Sequence, residues 1–387
     1  MMKVVARAGG AGTGHGRAWI TLPIMVAAVT AVLTITTLGL QDPPATAAST
    51  GTSACAPGVD LFGFSDRLDK KTFGGTNVGG LSGLTYDASR DVYYALVDNQ
   101  GTSPARFYTL RLPTDGSGLG KPEILDVTIL RNENGEPFTG TNFDGEGIAL
   151  APNGELLISS ETEPSIRRFA LDGTFLGELP VPERFLVQGG GGRTNQTFES
   201  LSLSPNGRSL FTANEGDLSA DGETANGSDR IRILRYDRRG SNGFVPADEF
   251  YYQADPGLGV VDIVALSEDE LLVMERGFQA GVGNTVRIYR VSLEGARDVS
   301  NVDSLAASKV EPLQKELLVD LADCPSSGAK TAPGAVQSNP LLDNFEGLTL
   351  GPVLPDGRQS LVLVSDDNFN KSQTTRVVVL AVGKGLL

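Results

Sequence analysis

The chain has 387 residues, of which 32 are Lys or Arg and 47 are Asp or Glu, so its formal net charge is −15. A charge of this sign and size argues against nucleic acid and anionic membrane surfaces as partners. The only histidine is His15 and the only tryptophan is Trp19. The chain after residue 19 therefore cannot supply a Ser-His-Asp triad, a histidine general base or a histidine-ligated zinc site. A metal bound there would need oxygen ligands, which calcium and magnesium prefer.

Residues 1–47 have the features of a targeting segment. Three basic residues precede an apolar run over residues 18–40, and a small-residue cleavage site follows at residues 45–47. We expect a cleaved signal peptide and secretion or, if the apolar run is retained, an N-terminal anchor and a periplasmic or cell-envelope location. Residues 48–58 are then expected to form a linker. Without residues 1–47 the chain has 29 basic and 46 acidic residues and a net charge of −17.

One sequence phrase recurs five times after the linker. Each copy has an acidic or polar residue within its first three positions, continues with an apolar strand, a tight turn and a second apolar strand, and has another acid at its end or one residue before it. The copies span residues 81–99, 144–161, 198–215, 261–276 and 345–367. Alternating apolar residues around turn dipeptides such as Asn153-Gly154 predict a β-hairpin in each copy.

A third strand is predicted after every hairpin and a fourth after most of them. The third strands are expected at residues 106–112, 165–171, 230–237, 285–293 and 375–382, and the fourth at 124–131, 175–181, 249–254 and 313–321. Repeated units of four antiparallel strands predict an all-β fold, a β-propeller over residues 59–387, whereas a β-sandwich has no such period. Five blades are visible, and a sixth, degenerate blade over residues 301–342 stays open. Residues 59–64 are expected to complete the last blade and close the ring.

The two cysteines, Cys55 and Cys324, are expected to form a disulfide. An even number of cysteines in an exported chain favours a bridge, and two unpaired thiols are the alternative. Ring closure by the N-terminal strand would bring Cys55 close to Cys324, which precedes the last blade. The bridge would then join the two ends of the ring and stabilise the fold by up to ~5 kcal/mol through chain entropy.

Acidic residues recur at both ends of the hairpins. Because the two strands are antiparallel, the residue that starts the first lies beside the residue that ends the second. This predicts five pairs on one face of the propeller: Ser82 with Asp98, Glu146 with Glu161, Glu199 with Glu215, Asp262 with Glu275, and Glu346 with Asp366. Because side chains alternate along a strand, these acids point to the same side as the core residues. Like-charged carboxylates that are buried together cost free energy unless they are paired or bound to a metal. The alternative is that each acid accepts backbone N–H bonds and only ties blades together.

The loop at residues 217–222 begins like a calcium-binding loop. Its sequence, Asp-Leu-Ser-Ala-Asp-Gly, places oxygen side chains before a glycine, with Asp221 as a candidate ligand. The closing glutamate of an EF-hand is absent, because Ser228 stands at the twelfth position. An ordinary polar loop and a propeller-type calcium loop both remain open.

Three segments resemble the phytase-like family, which is often labelled "esterase-like activity of phytase". They are FEGLTLGPVLPDGRQSLVLVSDDNFN, FESLSLSPNGRSLFTANEG with the Asp-Gly that follows it, and LLVMERGFQAGVGNTVRIYRVSL. The resemblance covers about residues 60–383. It implies an exported β-propeller with a phosphoesterase activity that depends on calcium, as in β-propeller phytases, although the Lys- and Arg-rich phosphate-binding pattern of a dedicated phytase is absent.

The resulting hypothesis is a monomeric, calcium-dependent phosphoesterase that acts on a small-molecule phosphate ester, with magnesium as the alternative metal. The candidate metal ligands are Glu146, Glu199, Glu215, Asp221, Asp262, Glu275, Glu346 and Asp366. Glu199 or Glu215 would act as general base and Arg276 would stabilise developing charge, while Arg230, Arg276 and Lys371 would bind the substrate. Two alternatives are a metal-dependent carboxylic-ester or lactone hydrolase and a non-catalytic propeller that binds or scaffolds a partner.

Overall fold

The computed structural model describes residues 53–99, 101–116, 118–240 and 243–387. The predicted targeting segment, residues 1–47, lies outside these residues. Within the described part of the chain, no helix is long and apolar enough to cross a membrane.

The described chain forms five antiparallel sheets, which are the blades of a β-propeller. Blade 1 consists, in chain order, of the strands Leu81–Asp87, Val92–Val97, Arg106–Arg111 and Glu123–Ile129. Blade 2 consists of Gly145–Leu150, Leu156–Ser160, Ser165–Phe169 and Phe175–Glu178, and blade 3 of Ser202–Leu203, Ser209–Ala213, Arg230–Arg239 and Gly243–Gln253. Blade 4 consists of Gly259–Ala265, Glu270–Gln279, Gly283–Ser292 and Lys315–Asp320. The first strand of each blade is the inner strand, which lines a central channel. The predicted fold class and hairpin arrangement are confirmed.

Blade 5 is completed by the N-terminal part of the described chain. Its C-terminal strands are Phe345–Val353, Gln359–Ser365 and Val377–Val382. Val59–Ser65 pairs with the last of these and supplies the fourth strand, as predicted, and Ala54–Ala56 adds a fifth at the edge. Residues 54–56, which were expected to belong to a linker, are therefore part of the sheet.

The long stretch at residues 301–342 does not form a sixth blade. Its regular structure consists of Lys315–Asp320, the outer strand of blade 4, and a 3₁₀ turn at Leu321–Asp323. The remaining short elements of the described chain are a 3₁₀ turn at Glu183–Phe185 and two small hairpins, Thr72–Phe73 with Thr76–Asn77 and Thr114–Asp115 with Gly118–Leu119. The ring therefore has five blades.

The predicted disulfide between Cys55 and Cys324 is confirmed, with an S–S distance of 2.03 Å. Cys55 lies in the edge strand Ala54–Ala56 of blade 5, and Cys324 directly follows the 3₁₀ turn after blade 4. The bridge therefore links blades 4 and 5 at the point where the two ends of the chain meet.

The blades are held together by apolar side chains packed between neighbouring sheets. Leu110 of blade 1 is buried with Val379 of blade 5, and Phe107 of blade 1 is buried with Ile158 of blade 2. Removal of such aliphatic and aromatic surface from water, worth roughly 25 cal/mol per Å², stabilises the ring.

Glycines let the inner strands of adjacent blades approach one another around the channel. A Cβ atom on Gly147 would lie 2.4 Å from the backbone nitrogen of Leu201 in blade 3, and one on Gly83 would lie 2.3 Å from the carbonyl oxygen of Glu146 in blade 2. Real Cβ atoms do not tolerate such contacts. The glycine after the recurring acid therefore permits the strand spacing that gathers the acids around one axis.

Candidate functional site

Two rings of side chains surround one end of the channel, and the repeat places both. The lower ring consists of the residue near the start of each repeated phrase at which a β-bulge or a local irregularity interrupts the pairing of the inner strand. Its members are Ser82, Glu146, Glu199, Val261 and Glu346. A bulge turns the extra residue away from the regular ladder, and here the glutamates of the lower ring line the channel.

The upper ring lies at the end of the second strand of each blade. Its members are Asp98, Glu161, Glu215, Arg276 and Asp366. In four blades the backbone N–H of this residue donates to a carbonyl oxygen at the start of the phrase, and in blade 4 Arg276 faces Gly259. Four blades thus contribute an acid to this ring and blade 4 contributes the arginine.

The upper ring and the three glutamates of the lower ring line a cavity of about 490 Å³. The described residues that line it are all Asp, Glu, Asn, Arg or Gly: Asp98, Asn99, Gly101, Gly140, Asp144, Glu146, Glu161, Asn195, Glu199, Glu215, Arg276, Asn344, Glu346, Asp366 and Asn368. Eight of these side chains are carboxylates and one is a cation. The cavity is suited to cations and to polar ligands, and it offers no apolar side chain to an acyl or alkyl group.

Two groups of three carboxylates in this cavity could each hold a metal ion. Asp98, Asp144 and Glu146 form one group, and Glu146, Glu161 and Glu199 form the other, with ligand oxygens within 4.8 Å of one another in each group. Glu146 belongs to both groups. Hard divalent cations such as calcium bind sets of carboxylate oxygens of this kind.

The carboxylates of Glu146 and Glu199 have no hydrogen-bond donor among the described residues, although both residues are more than nine-tenths buried, with exposures of 5% and 7%. A buried carboxylate without a donor or a counter-ion is costly. Both side chains therefore fit a bound cation better than a purely structural role.

Burial raises the pKa values of the cavity carboxyls. It raises the pKa of Glu161 and of Glu346 to about 7 and that of Asp98 to about 8, and the side chain of Asp144 raises the pKa of Asp98 further through a hydrogen bond and its charge. Burial and neighbouring acids also raise the pKa values of Glu146, Glu199 and Asp366 well above their usual range. Without a cation, the cavity therefore retains protons near neutral pH, and a metal ion would have to displace them.

Arg276 is the one basic side chain among the described residues that line the cavity. Its Nη2 donates to Oε1 of Glu346 at 2.7 Å and to Oε1 of Glu215 at 3.4 Å, which joins the upper ring to the lower. Its Nε is buried without a partner. Besides neutralising part of the acidic charge, the guanidinium can donate to an anionic group within the cavity.

The structure brings six of the predicted site residues together in this cavity: Glu146, Glu199, Glu215, Arg276, Glu346 and Asp366. Strand parity also holds, because Ile148, Leu201 and Leu348, two residues beyond the lower-ring glutamates, line the same channel at its other end.

The predicted pair of Asp262 and Glu275 is wrong, because each residue stands one position away from its ring: Asp262 follows Val261, and Glu275 precedes Arg276. Glu275 lies opposite Val260, and Asp262 lies opposite Met274. Glu275 is fully buried away from the cavity, where its carboxylate accepts hydrogen bonds from Tyr252 and Lys315. In Glu275-Arg276, it is therefore the arginine that lines the cavity.

Three further predicted residues also lie outside the cavity. Asp221 forms a buried bidentate ion pair with Arg232, with N–O distances of 2.7 and 2.9 Å. Arg230 donates to three backbone carbonyls of residues 221–223, and Lys371 is exposed. No lining position of the cavity is occupied by any of the three.

The loop that resembles a calcium loop contains a different acidic group. Asp217, Glu223 and Asp229 have carboxylate oxygens within 4.8 Å of one another. The Asp217 carboxylate forms an ion pair with Arg193 at 2.7 Å, and Asp221 is neutralised by Arg232. The two acids of this loop sequence therefore do not form one set of metal ligands.

Several lining residues were not selected as site residues from the sequence. Asp98 and Glu161 were predicted only as the hairpin partners of Ser82 and Glu146. They occupy the same hairpin position as Glu215 and Asp366, so this equivalence would have included them among the site residues. Asp144 is the first residue of its copy of the repeated phrase, two residues before Glu146, and was passed over in favour of Glu146. Asn195 and Asn368 reach the cavity from loops, both with left-handed backbone φ angles of 58° and 45°, and nothing in the repeat indicates them.

Comparison with protein families gives one match that spans most of the chain. The phytase-like family, described as "Esterase-like activity of phytase", matches residues 76–369. No curated protein matches the chain in sequence.

Among solved structures, the chain is similar to several enzymes at low identity. The periplasmic gluconolactonase of Pseudomonas aeruginosa is 13% identical, with 80% of this chain and 87% of that chain covered and a TM-score of 0.32. The gluconolactonase XC5397 of Xanthomonas campestris is 10% identical, with 84% and 89% covered and a TM-score of 0.36. The aldose sugar dehydrogenase of Streptomyces coelicolor is 16% identical, with 79% and 80% covered and a TM-score of 0.33.

Proposed function

The chain belongs to the phytase-like family, and on this premise we propose that it is a hydrolase of phosphate esters that uses divalent cations, calcium first and magnesium second, bound in the acidic cavity. The observation that carries the proposal is the lining of the cavity: eight carboxylates, one arginine and otherwise only Asn and Gly among the described residues. This composition supports a polar, charged substrate over one with an apolar acyl group.

The residues present fit a calcium ion. Asp98, Asp144 and Glu146 would hold one ion, and Glu146, Glu161 and Glu199 a second. All offer ligand oxygens, and the carboxylates of Glu146 and Glu199 have no hydrogen-bond donor among the described groups. When bound, a divalent cation supplies positive charge that recruits the phosphate and stabilises the charge that develops on its oxygens.

The remaining cavity residues can perform the proton transfer and orient the substrate. Glu215 is more open than the lower-ring glutamates, with 22% of its side chain exposed, so water can reach it, and it is our first candidate for the general base. Glu199, the other candidate, is deeper and would serve better as a ligand. Arg276, beside Glu215, can donate to a phosphate oxygen from the same side of the cavity.

The test is hydrolysis of chromogenic phosphate monoesters and diesters by the purified chain, with added calcium, with added magnesium and with a chelator. We expect turnover with calcium and its loss with the chelator. Turnover of carboxylic esters or lactones in place of phosphate esters would reject the substrate class, and no turnover on any ester would support a non-catalytic propeller. The matched control is Arg90→Gln, because Arg90 lies at the other end of the channel with 55% of its side chain exposed.

A further inference from the structure

Asp262 occupies a position that is glycine in three of the other blades. The corresponding residues are Gly83, Gly147 and Gly347, each directly after the lower-ring residue. In those blades the glycine permits the inner strand of the next blade to approach directly, as the contacts of Gly147 with Leu201 show. Blade 4 departs from this rule by carrying a buried carboxylate, with an exposure of 4%.

The Asp262 carboxyl interacts with the inner strands of three blades. Its Oδ2 accepts from the backbone N–H of Leu348 in blade 5 at 2.6 Å, and its Oδ1 accepts from that of Ile263 in blade 4 at 2.8 Å. Burial raises the pKa of this carboxyl well above its usual range, and the backbone N–H of Leu201 in blade 3 acts in the opposite direction. Both oxygens have a donor, so in blade 4 a side chain closes the gap that backbone contact closes in the glycine-bearing blades.

The residues of blades 3 and 5 that interact with Asp262 each lie two positions after a glutamate of the lower ring. Leu201 follows Glu199, and Leu348 follows Glu346. In an extended strand, residues two apart point to the same side and are held in one rigid segment. Asp262 therefore bonds the strand directly beneath Glu346 and interacts with the backbone directly beneath Glu199.

We propose that Asp262 is a positioning residue that sets the spacing of Glu199 and Glu346 and thereby the cation affinity of the acidic cavity, an inference that rests on the proposed cation site. Asp262 itself does not line the cavity and would not touch the ion. Its place, between the acid-bearing strands of blades 3 and 5, is that of an outer-shell group that holds ligands in position.

The test is calcium binding, measured by titration calorimetry with calcium chloride on the full chain at 25 °C, for wild type, Asp262→Gly and Asp262→Asn. Asp262→Gly introduces the residue that three of the other blades have at this position, and Asp262→Asn keeps one acceptor oxygen. We expect calcium binding to be weakened roughly tenfold in Asp262→Gly, with Asp262→Asn intermediate. Far-UV circular dichroism establishes that each variant is folded at the temperature of the titration.

The control is Asp87→Asn, which alters a buried carboxylate that also accepts backbone N–H bonds, from Ser89 and Arg90, but at the other end of the channel. It is expected to bind calcium as the wild type does. Unchanged calcium affinity in both Asp262 variants would overturn the positioning role alone. Absence of calcium binding by the wild type would overturn the proposed cation site and this inference with it. If Asp262→Gly does not fold, the affinity of Asp262→Asn decides.

Discussion

Nη2 of Arg276 donates to Oε1 of Glu346 at 2.7 Å and so connects blade 4 with blade 5 at the wall of the acidic cavity. Arg276 occupies the upper-ring position at which the other four blades carry an acid. The arginine therefore replaces a fifth carboxylate of that ring with the one positive charge among the described lining residues.

Replacement of Arg276 by Gln is expected to lower kcat/KM for phosphate esters by about 100-fold, because removal of one charged donor to developing negative charge has an effect of that order. The measurement is steady-state hydrolysis with saturating calcium. Arg90→Gln, at the far end of the channel, should hydrolyse the same ester at the wild-type rate. Full activity of Arg276→Gln would show that Arg276 does not take part in catalysis.

Replacement of Glu199 by Gln should stabilise the metal-free protein and weaken its response to calcium. The Glu199 carboxyl has a pKa well above its usual range because of burial and neighbouring acids. A neutral amide removes that cost, which is on the order of 1 kcal/mol for each unit of raised pKa. Thermal melts with chelator and with calcium measure both effects.

The matched control for Glu199→Gln is Glu136→Gln, at an exposed loop position, which should leave both melting temperatures unchanged. If Glu199→Gln instead lowers the metal-free melting temperature and leaves the calcium response intact, the carboxylate is a structural group and not a ligand.

The stability of the metal-free protein should fall as the pH rises from about 4 to 8. Burial raises the pKa of Glu161 and Glu346 to about 7 and of Asp98 to about 8, so the folded protein binds these protons more tightly than the unfolded chain does. Their stabilising contribution is complete below the unfolded pKa values, near 4, and is lost as the pH passes through the folded values.

Melting temperatures measured in chelator across this pH range test the sign, and calcium should flatten the decline because it replaces the protons. A metal-free melting temperature that rises steadily with pH from 4 to 8 would show that the cavity carboxyls are not protonated in the folded state.

Replacement of both Cys55 and Cys324 by Ser should lower the free energy of unfolding by up to ~5 kcal/mol, because the bridge spans 269 residues of sequence. Chemical denaturation of the oxidised wild type and the double variant measures the difference. Calcium affinity should be unchanged, since the bridge lies outside the cavity. Equal stability of the two proteins would show that the bridge does not stabilise the closure of the ring.

The blade architecture was predictable from the sequence because each blade repeats the same hairpin. Tight turns such as Pro152-Asn153-Gly154, between the paired residues Ala151 and Glu155, fix the hairpin register locally, and apolar alternation fixes the face. Glu146 and Glu199 were therefore assigned correctly to the channel, without any knowledge of contacts between blades.

The errors in the site arose where one residue shifts the register or where loops fold back. The bulge in blade 4 places Val261 in the lower ring and leaves Asp262 at the glycine position, and periodicity cannot show which residue is the inserted one. An error of one residue also assigned Glu275 to the upper-ring position that Arg276 occupies. Asn195 and Asn368 reach the cavity through loop conformations that depend on tertiary contacts.

The central claim, that the acidic cavity binds divalent cations, is tested most directly by the melting temperature of the wild-type chain at pH 8 with chelator and with calcium. Calcium at about 100 times its dissociation constant should add roughly 2.7 kcal/mol of stability, which corresponds to a rise of about 5 °C or more for a domain of this size. Magnesium should give a smaller rise. Identical melting curves in chelator and in millimolar calcium would contradict the account.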